Sequence, residues 1–391
     1  MAVSTLALRT IAEQVVLDRR HLHAHPELRY QEHETARFVA ERLRAHGIAV
    51  QTGIAETGVL GVLQGGRSGK TILLRADMDA LPIEEQNDVP YRSTVPGVMH
   101  ACGHDGHTAI LLGVARRLSE RRATLAGTIK FAFQPAEEGG FGGQKMVEQG
   151  VLDNPVVDAV FGLHLMQDME VGTVVALPGP SLAAADRFII RVQGKGGHAA
   201  APHQCIDATL IAANITVALN QIVSREVKPL DPAVITVGMS HSGTAQNIIA
   251  DTADLRGTVR TYDPELRQRL ARRIQEVALG IASAMGGSAT CEYSVGYPPT
   301  VNEPVMTAMV ADVVRERIGP DRLIDGEPRM GAEDFSYFLE KKPGCYFWLG
   351  TRNEERGLIW GNHHPKFDID EAALPIGIDL LTAVAERYLA S

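Results

Sequence analysis

Eight residues a quarter of the way along the chain, His100-Ala-Cys-Gly-His-Asp-Gly-His107, hold three histidines, one cysteine and one aspartate. Thiolate, imidazole and carboxylate are the usual donors to zinc and neighbouring divalent metals. A metal centre also needs ligands from outside one loop, and the sequence offers them. Cys102 and His104 form a C-x-H arrangement, Glu137 and Glu138 follow "IKFAFQP", and His164 closes the apolar run of "AVFGLHLM". His363 and His364 stand in "GNHHPKFD" near the C-terminus. One thiolate, three imidazoles and one carboxylate exceed the needs of a single tetrahedral site. They suit two metals sharing a bridging ligand and a water. The paired glutamates then divide the work: one binds metal, and the other takes a proton from the water and delivers it to a leaving nitrogen.

Each group alone has a plainer explanation. A histidine at the end of an apolar strand is more often a hydrogen-bonded core residue, and adjacent glutamates usually mark a solvated turn. Their joint occurrence in predicted loops and at strand ends favours a site, because open α/β sheets bind ligands at strand ends.

The elements that must position these residues follow from hydrophobic periodicity. "TGVLGVLQG", "TILLRADM", "GTIKFAFQP" and "DAVFGLHLM" predict strands, and "HTAILLGVARRLSE" predicts an amphipathic helix with a basic end. That order predicts an α/β sandwich with a largely parallel sheet. From Asp186 the pattern changes to strand, long helix, two strands, second long helix and strand, the ferredoxin-like order. The expected division is a first domain over 1–185 and 298–391, with an α+β domain over 186–297 inserted in it. Helices at about 303–319 and 375–390, with the strand "GCYFWLG" between them, complete the first domain.

Composition excludes other classes. At 391 residues the chain is long for one core, and 45% hydrophobic with 22% charged residues is a globular profile. A net charge of -9 argues against nucleic-acid or anionic-membrane partners. No apolar run approaches the roughly 20 residues that span a bilayer. The N-terminus lacks the basic start of a signal peptide. Cysteines at 102, 205, 291 and 345 have no regular spacing, which fits a reducing cytoplasm better than a disulfide framework.

"HLHAHPEL", "RADMDALPIEE", "HACGHDGHTA", "QPAEEG", "GLHLM", "GKGGHAAAPH", "NIIADTADLRGTVRT", "GAEDFSYF" and "HHPKFDID" occur in this order between residues 21 and 370. Together they resemble the dinuclear metallo-amidohydrolases that include hippurate hydrolase, indole-acetyl-amino-acid hydrolase and aminoacylases. The resemblance implies a metallopeptidase-type catalytic α/β domain carrying a ferredoxin-like lid and dimerisation domain. It implies Cys102, His104, Glu138, His164 and His363 as ligands of two divalent ions, zinc or manganese, with cobalt and nickel as further options. His364 competes with His363 for that role. Glu137 becomes the general acid/base, and Asp79 supports the metal site from behind. In the inserted domain, His198 matches the residue that stabilises the oxyanion, and Asn247 and Arg260 match substrate-binding positions. The implied substrate is a small N-acyl amino acid with an acetyl, benzoyl or aryl-acyl group, and the alternative is a dipeptide or peptide C-terminus. The implied assembly is a homodimer or higher homo-oligomer.

Overall fold

The computed structural model describes residues 2–391, with side chains from residue 10 onward. Two compact units emerge, one of Met1–Gly179, Val301–Glu327 and Asp334–Ser391, the other of Pro180–Thr300 and Pro328–Glu333.

The first unit is built on a seven-stranded sheet. Its order is Ala49–Ile54, Gly58–Gln64, Ala126–Gln134, Arg67–Asp77, Ala159–Glu170, Gly344–Arg352 and Val174–Val175. The four strands from Ala126–Gln134 to Gly344–Arg352 run parallel, and the edges are antiparallel. Residues 71–77, 129–134 and 344–351 are buried without alternation. That is the signature of parallel strands covered on both faces, and it explains their unbroken apolar runs. The helix His104–Ser119 lies against that sheet and against the helices Ala2–Ala24 and Ala373–Ala390. Gly106 lets its first turn approach the sheet, since a Cβ there would come 2.5 Å from Leu165 Cδ1.

The second unit has its own core. Strands Ala184–Gln193, Ala233–Ser242, Thr252–Thr261 and Ser288–Tyr297 form an antiparallel sheet in the spatial order second, third, first, fourth. Helices Ala208–Gln221 and Pro264–Ala284 cover one face, burying Ile211, Ile215, Leu270 and Ile274 against Phe188, Ile190 and Val192. Asp207 and Asp263 cap these helices by accepting first-turn N–H groups, and Pro264 suits the first helical position. This is the ferredoxin-like arrangement.

The second unit runs from Pro180 to Thr300 rather than over 186–297, and takes back 328–333, a run expected in the first. The reason is backbone pairing. Arg329 N donates to Ser181 O at 2.9 Å, and Ala183 N donates to Gly331 O at 2.8 Å. Among the described residues no helix is long and apolar enough to cross a membrane.

Candidate metal centre

The expected ligands of the first unit converge from four segments. Cys102 precedes the helix His104–Ser119, whose N-cap, Gly103, turns the chain at φ 88. Glu137 and Glu138 follow the strand Ala126–Gln134, and Asp79 follows Arg67–Asp77. His164 lies inside its strand rather than at the expected end. The strand runs on to Glu170 because Leu165 and Met166 pair with Leu349 and Gly350. His363 sits in a turn at φ 69, a left-handed conformation unusual for histidine.

Two ligand triplets form around one sulfur. Donor atoms of Cys102, His104 and His164 lie within 4.8 Å of one another, and so do those of Cys102, Glu138 and His363. A third triplet, His104, Glu137 and Glu138, brings Glu137 beside both sets. His364 faces elsewhere: its ring stacks on Trp360 at 4.3 Å, and its Nδ1 accepts from Lys366 N.

Hydrogen bonds sort the three histidines of the opening motif. His107 accepts from Leu165 N through Nε2 at 2.8 Å and donates from Nδ1 to Asp77 Oδ1 at 2.6 Å, so both nitrogens are used. His100 is buried with neither nitrogen bonded, and burial pushes its imidazole down to about 4. His104 donates from Nδ1 to Asp79 O at 2.8 Å, which leaves Nε2 buried without a partner. His164 donates from Nδ1 to Leu165 O, with Nε2 3.6 Å from Cys102 Sγ. Burial, then His107, hold His164 well below the usual imidazole range. The ring is neutral, with the Nε2 lone pair directed at the thiol.

The donor set fits a divalent metal. His363 Nε2 lies 3.0 Å from Glu138 Oε1, yet that oxygen accepts no well-formed hydrogen bond. Buried polar atoms without partners are rare in native proteins and ask for an explanation. The field asks for a cation as well. Burial lowers His104, but Asp77 and Cys102 outweigh it and raise the ring well above its ordinary value. Cys102 and then Glu138 lift His363 to about 10. The same anionic surroundings that retain protons on these rings would retain metal ions.

Residues the sequence reading passed over hold the site from behind. Asp77 takes Arg75 at 2.6 Å as well as His107. Asn362 donates to Cys102 O at 3.2 Å and to Leu165 O at 3.3 Å, tying together three segments that carry candidate ligands. Asp105 accepts from Arg19 Nε and from His23 Nδ1, both at 2.8 Å, and His23 Nε2 lies 3.2 Å from Glu85. Burial and Arg19 lower His23, but Asp105 and Glu85 overcome both and lift it to about 8. The available signal was charge inside apolar runs, as in "LLRADM". Pattern alone could not say which partner each charge would meet.

The candidates of the second unit lie on its own elements. His198 pairs with Ile248, and Ala199 N donates to Asn247 O, so His198 and Asn247 are neighbours. Arg260, on Thr252–Thr261, is half-buried, and burial followed by Arg187 lowers its guanidinium.

Residues 73–387 match the model of Peptidase family M20/M25/M40. N-acetyl-L-cysteine deacetylase of Bacillus subtilis is 43% identical, over 98% of this chain and 90% of its own. Thermostable carboxypeptidase 1 of Saccharolobus solfataricus is 44% identical, over 95% of this chain and 94% of its own. The crystal structure of the Bacillus subtilis YXEP protein, described as a dinuclear metal-binding peptidase of the M20 family, superimposes with a TM-score of 0.85. It is 36% identical and covers 98% of this chain and 99% of that one. With a family model over most of its length and relatives this similar along nearly all of it, the chain belongs to peptidase family M20/M25/M40 and is a metal-dependent hydrolase.

Proposed function

We propose that this enzyme hydrolyses the amide bond of N-acyl amino acids, releasing a carboxylate and a free amino acid. The observation that carries the reading is the pair of ligand triplets sharing Cys102, with Glu137 beside them. Cys102, His104, Glu138, His164 and His363 would hold two divalent ions, zinc or manganese, with cobalt and nickel as options on donor chemistry. Such ions supply Lewis acidity, polarising a carbonyl and bringing the pKa of a water toward ~7. The dinuclear description of the YXEP protein supports the count.

Glu137 takes the water's proton and passes it to the leaving nitrogen. It is buried at 7% exposure, which shields the transfer from bulk water. Asp79 orients it, accepting Glu137 N at 3.0 Å and Glu138 N at 2.9 Å. His198 donates a hydrogen bond to the developing oxyanion. Asn247 and Arg260 receive the substrate's carboxylate, to which a guanidinium can offer two parallel bonds. The deacetylase relative supports an acyl amino acid as substrate, and benzoyl and aryl-acyl groups belong to the same class. The carboxypeptidase relative favours a second reading, a dipeptidase or carboxypeptidase with the same centre. We also infer a homodimer formed through the second unit, supported by Leu210 and Val217, which stand 54% and 73% exposed on one helix. Four scattered free thiols support a reducing cytoplasm.

The test is release of free amino acid from a panel of N-acetyl, N-benzoyl and indole-acetyl amino acids beside simple dipeptides, with metal stripped and restored. Metal-dependent cleavage of one acyl class is expected. Cleavage of dipeptides alone would move the activity to the second reading.

A further inference from the structure

The turn carrying Glu137 and Glu138 is held from two sides, and only one side is Asp79. The preceding amide, Ala136 N, donates to Glu32 Oε1 at 2.9 Å, and Thr57 Oγ1 donates to Glu32 Oε2 at 2.6 Å. Three successive backbone N–H groups, 136 to 138, thus each meet a carboxylate. The segment around Glu32 adds two more bonds. Arg29 Nη1 donates to Glu138 O at 2.7 Å, and the Tyr30 hydroxyl donates to Gly140 O.

Backbone strain collects where these loops meet. Tyr30, Ala136 and Phe141 all take left-handed φ values of 60, 54 and 62 although none is glycine. Gly142 closes the turn so tightly that a Cβ there would overlap the Pro135 carbonyl oxygen. Such conformations are costly and persist only where the surroundings over-determine them. Glu32 is fully buried, and burial pushes its carboxyl up to about 7 although Thr57 draws it down. An acid in that position is expensive to bury, and packing alone would be served by an uncharged residue.

We infer that Glu32 is a positioning residue for the Glu137–Glu138 pair, fixing with Arg29 and Tyr30 the strained turn from which both side chains leave. This rests on the roles proposed for the two glutamates. Misplacing a reacting group by about 1 Å can lower turnover by ~100-fold, so a turn built this tightly has a catalytic consequence.

The test compares Glu32→Ala, Glu32→Gln and Arg29→Met in the full metal-loaded chain. Three quantities are read: amide hydrogen exchange of residues 134–141 before substrate is added, bound metal, and kcat and KM on an amide that the parent enzyme cleaves. Glu32→Ala should exchange at least ~10-fold faster in this turn while metal content holds. Its kcat should fall at least ~10-fold with KM within about twofold. Glu32→Gln keeps an oxygen for Ala136 N and should restore both readouts. Arg29 is exposed on the surface, so Arg29→Met tests the clamp even if Glu32→Ala does not fold. It should show faster exchange and a kcat lowered by about threefold or more. Unchanged exchange in the folded variants, unchanged kcat, or metal loss in place of a kcat loss would each overturn the inference. A parent enzyme that cleaves no amide would refute the proposed function, while the exchange data would still decide the clamp.

Discussion

In the first unit Cys102, His104, Asp79 and Glu137 are buried, and the last three are tied by hydrogen bonds around Asp79. In the second unit His198 stands exposed on a two-stranded ribbon, Asn247 is exposed in the turn before it, and Arg260 is half-buried. Burying polar donors costs free energy unless each is satisfied, so a buried, connected set is assembled before any ligand arrives. Exposed groups keep their water and act only when a substrate displaces it. The first unit therefore holds a buried polar cluster set in advance, with His363 exposed at its rim, and the groups proposed in the second unit would contribute only on binding.

That contrast can be broken, beginning with the largest effect. Glu137→Gln removes the proton carrier without removing a proposed ligand. Its kcat should drop at least ~100-fold with bound metal unchanged, and near-normal turnover would end that role. His198→Ala should also leave metal in place, and unfolding should not change, since the ring is exposed. Its cost should be about 100-fold in kcat, the scale of one lost oxyanion donor. Normal kcat with a raised KM would make His198 a binding group only.

Smaller effects lie in stability. His23, at about 8 against an ordinary 6.5, holds its proton more tightly in the folded chain. Its contribution is complete below pH 6.5 and is lost as pH rises through 8, about 2 kcal/mol in all. Denaturant unfolding at pH 6 and pH 9 should show that loss, and His23→Gln should flatten it. An equal slope in both proteins would mean the Asp105–Glu85 setting does not hold the proton. The second unit has ordinary devices instead. Asp263→Ala deletes the cap to Leu266 N and should cost about 1 kcal/mol, with metal content and kcat retained. Loss of metal in that variant would contradict the separation drawn between the two units.

The fold was legible where periodicity is strong. The buried runs around Ile72 and Phe131 announced parallel strands, and the change near Asp186 announced a second architecture with its own core. The return of 328–333 was illegible because a six-residue backbone pairing leaves no hydrophobic pattern. In the site, the residue types at 102, 104, 137, 138, 164 and 363 were readable, and the structure gathers them. The choice among His100, His104 and His107 was not readable from type, since it depends on what each ring nitrogen meets. Asp77 and Leu165 N occupy His107 completely. Glu32 and Asn362 were passed over because their partners are backbone groups over 100 and nearly 200 residues away in sequence, which no local spacing reports.

Both triplets depend on the Cys102 sulfur, and metal counting tests that dependence most directly. The apo chain and its Cys102→Ala variant would be titrated with zinc and then with manganese, with bound metal read by elemental analysis after dialysis. The parent chain should retain two equivalents, and the variant should retain fewer, because both triplets lose the same sulfur. Two equivalents held equally well by the variant would contradict the shared thiolate and, with it, the proposed metal centre.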